Sequence, residues 1–331
     1  MKDKAYIEGL GGSAEGALLS RYAYRITDQI KVTIKGDVAS DPVARQYIPS
    51  DAEGVRLPQE DGDPIGDEAH TPVKGVVHRY PDRVLLKPAN VCAVYCRYCF
   101  RREMVGPKAV GAPDILSADE IEAALAYIRT HTEIWEVILT GGDPLVLSPE
   151  KLLHILQALD SMEHVKVVRI HSRVPVADPV RVSDALLGAL KTRKALYMAL
   201  HINHAQEVTA EVLQAVKALQ GAGVHLVSQS VLLRGVNDSV EALEALFRAL
   251  VEMGVKPYYL HHPDLAPGTS HFRLSIEEGQ ALMRGLQGRL SGLCLPTYML
   301  DIPGGAGKIP LTPCYIAVSY THLTLPTTPY V

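Results

Sequence analysis

The chain is sparing with sulfur and with large aromatic rings: its 331 residues include five cysteines, three phenylalanines and one tryptophan. An odd number of cysteines, three of them within eight residues, excludes a disulfide framework and fits a metal site in a reducing compartment. No excess of either charge stands out. Against 37 Asp and Glu there are 33 Lys and Arg, a formal net charge of -4, which offers no basic face to nucleic acid or acidic lipid. No apolar run approaches the roughly 20 residues of a membrane-spanning helix, and the start, Met1 to Tyr6, lacks the apolar centre of a signal peptide. The expectation is a soluble, cytoplasmic protein with no nucleic-acid or membrane partner. Its apolar fraction of 47% is enough for one large α/β domain or two smaller ones.

What the chain does have is a cysteine loop, Asn90-Val91-Cys92-Ala93-Val94-Tyr95-Cys96-Arg97-Tyr98-Cys99-Phe100-Arg101-Arg102. A [4Fe–4S] cluster normally takes four thiolates, so Cys92, Cys96 and Cys99 would leave one iron open to bind and reduce a ligand. The competing reading is a zinc knuckle with His78 or a more distant fourth ligand. The triplet is far more specific than a lone cysteine pair, and it favours the cluster.

Around this loop the pattern alternates. Residues 1–75 form a mixed N-terminal region in which Arg21–Ile30 is expected to be a short helix. Asp51 to Glu68, acidic and rich in Gly and Pro, is expected to be a surface connection. Strands are expected at 84–87, 136–139, 165–170, 196–202, 224–233 and 257–261. Helices between them are marked by the capping boxes at Ser117 and Ser275, by Ser148-Pro149 and by Thr209. Six strands alternating with helices give an α/β fold built on a parallel sheet. Six units are too few for a closed eight-unit barrel, so a partial (β/α)6 TIM-like barrel is expected over 76–291. A short segment, 292–317, follows. The polar and glycine-rich residues collect just after strands, where parallel sheets bind their ligands.

Lys308 ends the run Pro303-Gly304-Gly305-Ala306-Gly307. A phosphate-binding P-loop would need Gly at Ile302 and Ser or Thr at Ile309, so that motif fails. A lysine after a glycine run is ordinarily a surface turn, but it can also serve as a Schiff-base lysine. The closing residues 318–331, beginning Val318-Ser319-Tyr320-Thr321-His322, resemble one reading frame of a transposon-end sequencing adapter. They are expected to be a non-native tail.

Taken together, these pieces resemble the lysine 2,3-aminomutase family, which combines radical S-adenosylmethionine (SAM) chemistry with pyridoxal 5'-phosphate (PLP). The resemblance rests on six stretches: His78 to Arg83, the cysteine loop, Leu139 to Asp143, Gln229 to Asp238, Pro257-Tyr258-Tyr259 and Pro303 to Lys308. It implies a barrel of the radical SAM type followed by a short C-terminal PLP-lysine segment. It further implies a [4Fe–4S] cluster on Cys92, Cys96 and Cys99, with SAM on the fourth iron. Gly141, Gly142, Asp143, His201 and Gln229 would lie on the SAM side, and Lys308 would be the PLP lysine. Arg79 and Arg83 would hold the PLP phosphate.

The implied substrate is L-lysine, with Arg101 at its carboxylate and Asp264 and Asp301 at its ε-ammonium, and the product is β-lysine. Three alternatives stay open: a β-lysine-forming enzyme for translation-factor modification, a glutamate 2,3-aminomutase, and a non-catalytic iron–sulfur module. Two carboxylates at the substrate's far end disfavour glutamate. An electron-donating reductase, flavodoxin or ferredoxin is implied as partner, and a homo-oligomer stays open. Some family members join subunits through zinc with a cysteine where this chain has Ser239, so no zinc is expected here.

Overall fold

A computed structural model describes residues 2–13, 21–106, 115–315, 317–319 and 322–324. Among the described residues one nine-stranded sheet runs in sequence order. Its strands are β1 (Val76–Tyr80), β2 (Arg83–Ala89), β3 (Glu136–Gly141), β4 (Val167–Ser172), β5 (Ala195–His201), β6 (His225–Val231), β7 (Lys256–His261), β8 (Thr297–Ile302) and β9 (Gly307–Pro310). Strands β2 to β8 are mutually parallel, and β1 and β9 are antiparallel edges. The Lys308 backbone N–H in β9 donates to the Tyr80 hydroxyl at the end of β1, 3.0 Å away. The sheet therefore curls until its two edges nearly meet.

Six helices cover the outside: α1 (Ala118–Thr130), α2 (Pro149–Asp160), α3 (Asp184–Ala189), α4 (Ala210–Gly221), α5 (Val240–Glu252) and α6 (Ile276–Leu286). Each starts where the sequence supplies a cap. Ser117 with Glu120 and Ser275 with Glu278 form reciprocal capping boxes, and the Ser148, Thr209 and Ser239 hydroxyls accept from the third residue onward. Helix α1 buries Ile121, Ala124, Leu125 and Ile128, and α5 buries Leu243, Leu246, Phe247 and Leu250. Those stripes press on the outward side chains of the strands, including Val84, Leu86, Val137, Leu139, Val168 and Ile170. The result is one continuous apolar shell between sheet and helices.

The six expected βα units are present. A seventh parallel strand, β8, and the edges β1 and β9 extend the sheet beyond them. Among the described residues the only helical element after β8 is a 3-10 turn, Pro303–Gly305, and no α-helix follows, so alternation of strands and helices does not reveal it. The expected helix over 21–30 lies instead at Asp28–Thr33, started by the Thr27 side chain accepting from Ile30 N. Of the expected non-native tail, 318–331, residues 318–319 together with Ala317 pair antiparallel with 322–324; the rest lies outside the described residues.

The segment 51–68 runs over the surface as expected for much of its length, but three of its side-chain carboxylates are buried against barrel cations. Glu53 accepts from Arg97 Nε at 3.0 and 3.1 Å, from Arg97 Nη2 at 2.6 Å, and from Arg102. Glu60 takes Arg273 at 2.6 Å. Asp67, fully buried, takes Arg101 at 3.0 Å, Lys87 at 3.3 Å and Arg79 at 3.4 Å. Glu53, Glu60 and Asp67 thus answer to these partners, while Asp51, Asp61 and Glu68 face solvent.

Burying Glu53 opposes its charge, but the two guanidiniums win and hold its carboxyl below the ordinary range. Glu53→Ala would leave both arginines buried without a counter-charge. The expected loss is about 3–5 kcal/mol of stability, read from urea unfolding. Arg248→Ala removes a partner of Glu244 that is exposed and is expected to cost under about 1 kcal/mol. Equal effects of the two substitutions would contradict this.

Candidate active site

The inside of the barrel holds a cavity of about 590 Å³. Every residue selected from the sequence lines it: Cys92, Cys96, Cys99, Arg79, Arg83, Arg101, Gly141, Gly142, Asp143, His201, Gln229, Asp264, Asp301 and Lys308. Residues spread over more than two hundred positions are gathered because each leaves a strand on its inner face or at its end.

The cysteine loop follows β2 directly and is clamped to the end of β3. Gly142 N donates to Ala89 O at 2.7 Å and Asp143 N to Val91 O at 2.9 Å. A side chain at Gly142 would put its Cβ 2.3 Å from Val91 O, so only glycine lets the strand end lie flush on the loop. Burial pushes the Cys92 and Cys99 thiols up, Cys99 to about 11, and the neighbouring thiols add to the effect.

Asp143 plays a different part from the one its position implied. Its carboxylate accepts from Leu145 N, Ser172 Oγ, Arg173 N and Val174 N at 2.7–3.1 Å. All its capacity goes into joining the ends of β3 and β4, which leaves the glycine backbone beside it to meet a ligand. His201 on β5 faces the same end. Burial, reinforced by Arg173, brings its pKa down to about 3, so the ring is neutral.

Lys308 and Asp301 face each other across the β8–β9 pair, where they are register partners. The Lys308 ammonium donates to Asp301 Oδ2, and His261 Nδ1 lies 3.6 Å from the same oxygen. Burial works against the Asp301 charge, but His261 and Lys308 hold the carboxyl well below its ordinary value. Asp301 Oδ1 is buried with no partner. Asp264, just after β7, behaves in the opposite way. Burial and the Asp301 charge beside it push its carboxyl up to about 7. Arg79 has a buried, unpartnered Nε. Arg83 is partly exposed, pairs with Asp82 at 2.6 Å and lies 3.9 Å over the Tyr80 ring.

Several cavity residues carry no role from the sequence, although His171 and Arg173 stand out there as polar residues just after an expected strand. His171 on β4 is neutral, kept so first by burial, and its Nε2 is buried without a partner. Arg173 reaches Tyr98, Gln46 and Glu207. Tyr259 and His261 sit two apart on β7, the spacing of one face of a strand, which was the available signal for them. His78, the alternative fourth ligand, bonds Tyr127 at 2.8 Å and does not line the cavity.

A curled parallel sheet with a three-cysteine loop after its first parallel strand, open to an interior cavity, defines a radical SAM barrel. The model of the Radical SAM superfamily matches residues 86–247. A second model, Lysine-2,3-aminomutase, matches 283–325 and so reaches past Val318. The chain is 41% identical over 283 residues to the L-lysine 2,3-aminomutase of Clostridium subterminale, covering 86% of this chain and 67% of that protein. It is 39% identical over 318 residues to a putative L-lysine 2,3-aminomutase of Aquifex aeolicus, covering 95% and 84%. To the glutamate 2,3-aminomutase of Clostridioides difficile it is 35% identical, covering 98% and 74%. The chain belongs to the lysine 2,3-aminomutase family, whose members are isomerases using a [4Fe–4S] cluster, SAM and PLP.

The residues present fit those groups. The three clustered thiols of Cys92, Cys96 and Cys99 form a donor set whose charge, once they are deprotonated, a metal cluster would offset. The glycine strand end beside them offers backbone to SAM. Lys308, with the free Nε of Arg79 and with Arg83 lining the same cavity, forms a lysine-plus-arginine set suited to an aldehyde bearing a phosphate.

The two aspartates give a direct test of these electrostatics. Difference infrared titration of carboxyl groups should show Asp264 half-protonated near pH 7. Asp301→Asn should lower that midpoint toward the ordinary carboxyl range, because a neighbouring negative charge has been removed. A midpoint unchanged by the substitution would contradict the coupling.

Proposed function

We propose that this protein converts L-lysine to β-lysine, moving the α-amino group to the β-carbon. The observation that carries the reading is at Asp301: this buried carboxylate already holds a primary ammonium on a four-carbon stem, that of Lys308. The Lys308 ammonium stands in for the group that ends the lysine side chain. An ammonium carried into a closed site must be paired or pay heavily for desolvation, and Asp264 lines the same cavity as a second carboxylate. A glutamate side chain would bring a third negative charge to this end.

The cofactors, when bound, supply radical generation from SAM at the reduced cluster and stabilisation of the migrating amino centre by PLP. This chain's residues do the rest. Cys92, Cys96 and Cys99 hold the cluster; Gly141, Gly142, His201 and Gln229 contact SAM; Asp143 fixes the strand ends that carry the glycines. Lys308 holds PLP, with Arg79 and Arg83 at its phosphate, and Arg101 holds the substrate carboxylate. The nearly closed sheet keeps water from the reacting atoms. The electron comes from a reductase, flavodoxin or ferredoxin of the cytoplasm.

Removing one partner of a buried charge pair costs roughly 2–5 kcal/mol, and each 1.36 kcal/mol is about tenfold in rate. Asp264→Asn or Asp301→Asn should lower kcat/KM for lysine by about thirty-fold to several thousand-fold, with SAM binding retained. The measurement is kcat/KM for lysine against glutamate in the parent and both variants. A parent enzyme that prefers glutamate would overturn the proposal, as would two variants that process lysine normally.

A further inference from the structure

Asp67 lies outside the cavity and in no motif, yet two of its three cationic partners, Arg79 and Arg101, line the cavity. Glu53 differs in this respect: its partners Arg97 and Arg102 are not among the lining residues. The geometry at Arg101 is informative. A guanidinium can present a carboxylate with its Nε edge or with the edge made by its two terminal nitrogens. Arg101 gives Nε and Nη2 to Asp67 Oδ2, at 3.1 and 3.0 Å. Nη1 is left with only a long contact, 3.5 Å, to Thr140 Oγ1. One edge is thus consumed by Asp67, and Nη1 remains for a ligand in the cavity.

Asp67 Oδ1 meanwhile faces Arg79 Nη2 at 3.4 Å, and Lys87 Nζ lies 3.3 Å from Oδ2. Three cations around one carboxylate leave a surplus of positive charge next to the cavity.

The turn that carries Asp67 is itself fixed. Asp63 accepts from the backbone N–H of Asp67 at 2.9 Å and of Glu68 at 2.8 Å. The preceding Gly66, at φ +65°, abuts the glycine run before Lys308, and a Cβ there would sit 2.8 Å from the Gly304 carbonyl carbon and the Gly305 nitrogen. One buried turn therefore touches the arginine after the cluster loop, the arginine of β1 and the approach to Lys308.

We propose that Asp67 is a positioning residue for anion recognition: it orients Arg101 toward the substrate's α-carboxylate and Arg79 toward the PLP phosphate. The inference rests on the roles given to Arg101 and Arg79 above, and it assigns to the N-terminal region a part in substrate selection.

The experiment compares L-lysine with L-lysinamide, which keeps both amines and lacks the carboxylate. Affinities of the reconstituted holoenzyme for each are measured by the PLP absorbance change, alongside iron content and the dissociation constant for PLP. Asp67→Asn should retain iron and reduce the preference for lysine over lysinamide by about tenfold or more, while weakening PLP several-fold. Asp67→Glu keeps the charge but moves it by one methylene, and should give an intermediate loss of preference; it decides the matter if the Asn variant does not fold. A merely structural role would leave the preference unchanged in whichever variant folds, and that result overturns the proposal. Arg101→Gln is the companion. If it abolishes the preference while Asp67 variants keep it, Asp67 alone is misassigned. If it leaves the preference intact, the reading of Arg101 fails first and takes the proposal with it.

Discussion

Charge in the interior of this barrel is tolerated because it is paired, and the pairing determines how the chain is arranged. Guanidiniums and ammoniums follow the cluster loop and stud the inner strands: Lys87, Arg97, Arg101, Arg102, Arg169 and Arg173 are all paired with carboxylates. Unpaired, each would cost several kcal/mol to bury. The N-terminal region supplies Glu53 and Asp67, and the barrel itself supplies Glu136 and Glu207. This explains why a mixed stretch before the barrel is packed into it. The cavity cannot keep its positive side without the acidic segment behind it.

The same principle divides the cavity chemically. Near the cysteines the surroundings are thiols, glycine backbone and neutral imidazole, suited to a cluster and a ligand held through backbone. Near β8 and β9 a buried carboxylate is already ionised by its neighbours, while burial, and then the charge of the first, push the carboxyl of a second up to about 7. An ammonium entering that end meets one fixed charge and one that can be recruited. The single chamber lets one substrate reach both regions.

Much of this was legible in the sequence because it is local. The cysteine spacing, the Gly-Gly end of β3 and the capping boxes are each encoded within a few residues, and the structure gathers the selected residues into one cavity. The unread parts depend on distance. Asp67 meets Arg101 across 34 positions and Glu53 meets Arg97 across 44, and nothing near either acid announces the partner. An acidic stretch with Gly and Pro has the composition of a solvated loop, and only the fold shows that three of its carboxylates point inward. His261 escaped notice because an inward residue on a buried strand looks like core until its neighbour Asp301 is seen. Strand β8 is not marked by alternation because among the described residues no α-helix follows it.

The proposed reaction requires one cavity to bring a cluster, SAM and PLP to bear on the amino group of lysine. The most direct measurement is anaerobic reconstitution with iron, sulfide, SAM and PLP, followed by incubation with reductant and α-15N-labelled L-lysine and chromatographic and NMR analysis of the product. The expected product is β-lysine carrying the label on its β-carbon. Iron-loaded protein that cleaves SAM but leaves the label on the α-carbon of lysine, or that rearranges glutamate instead, would contradict it.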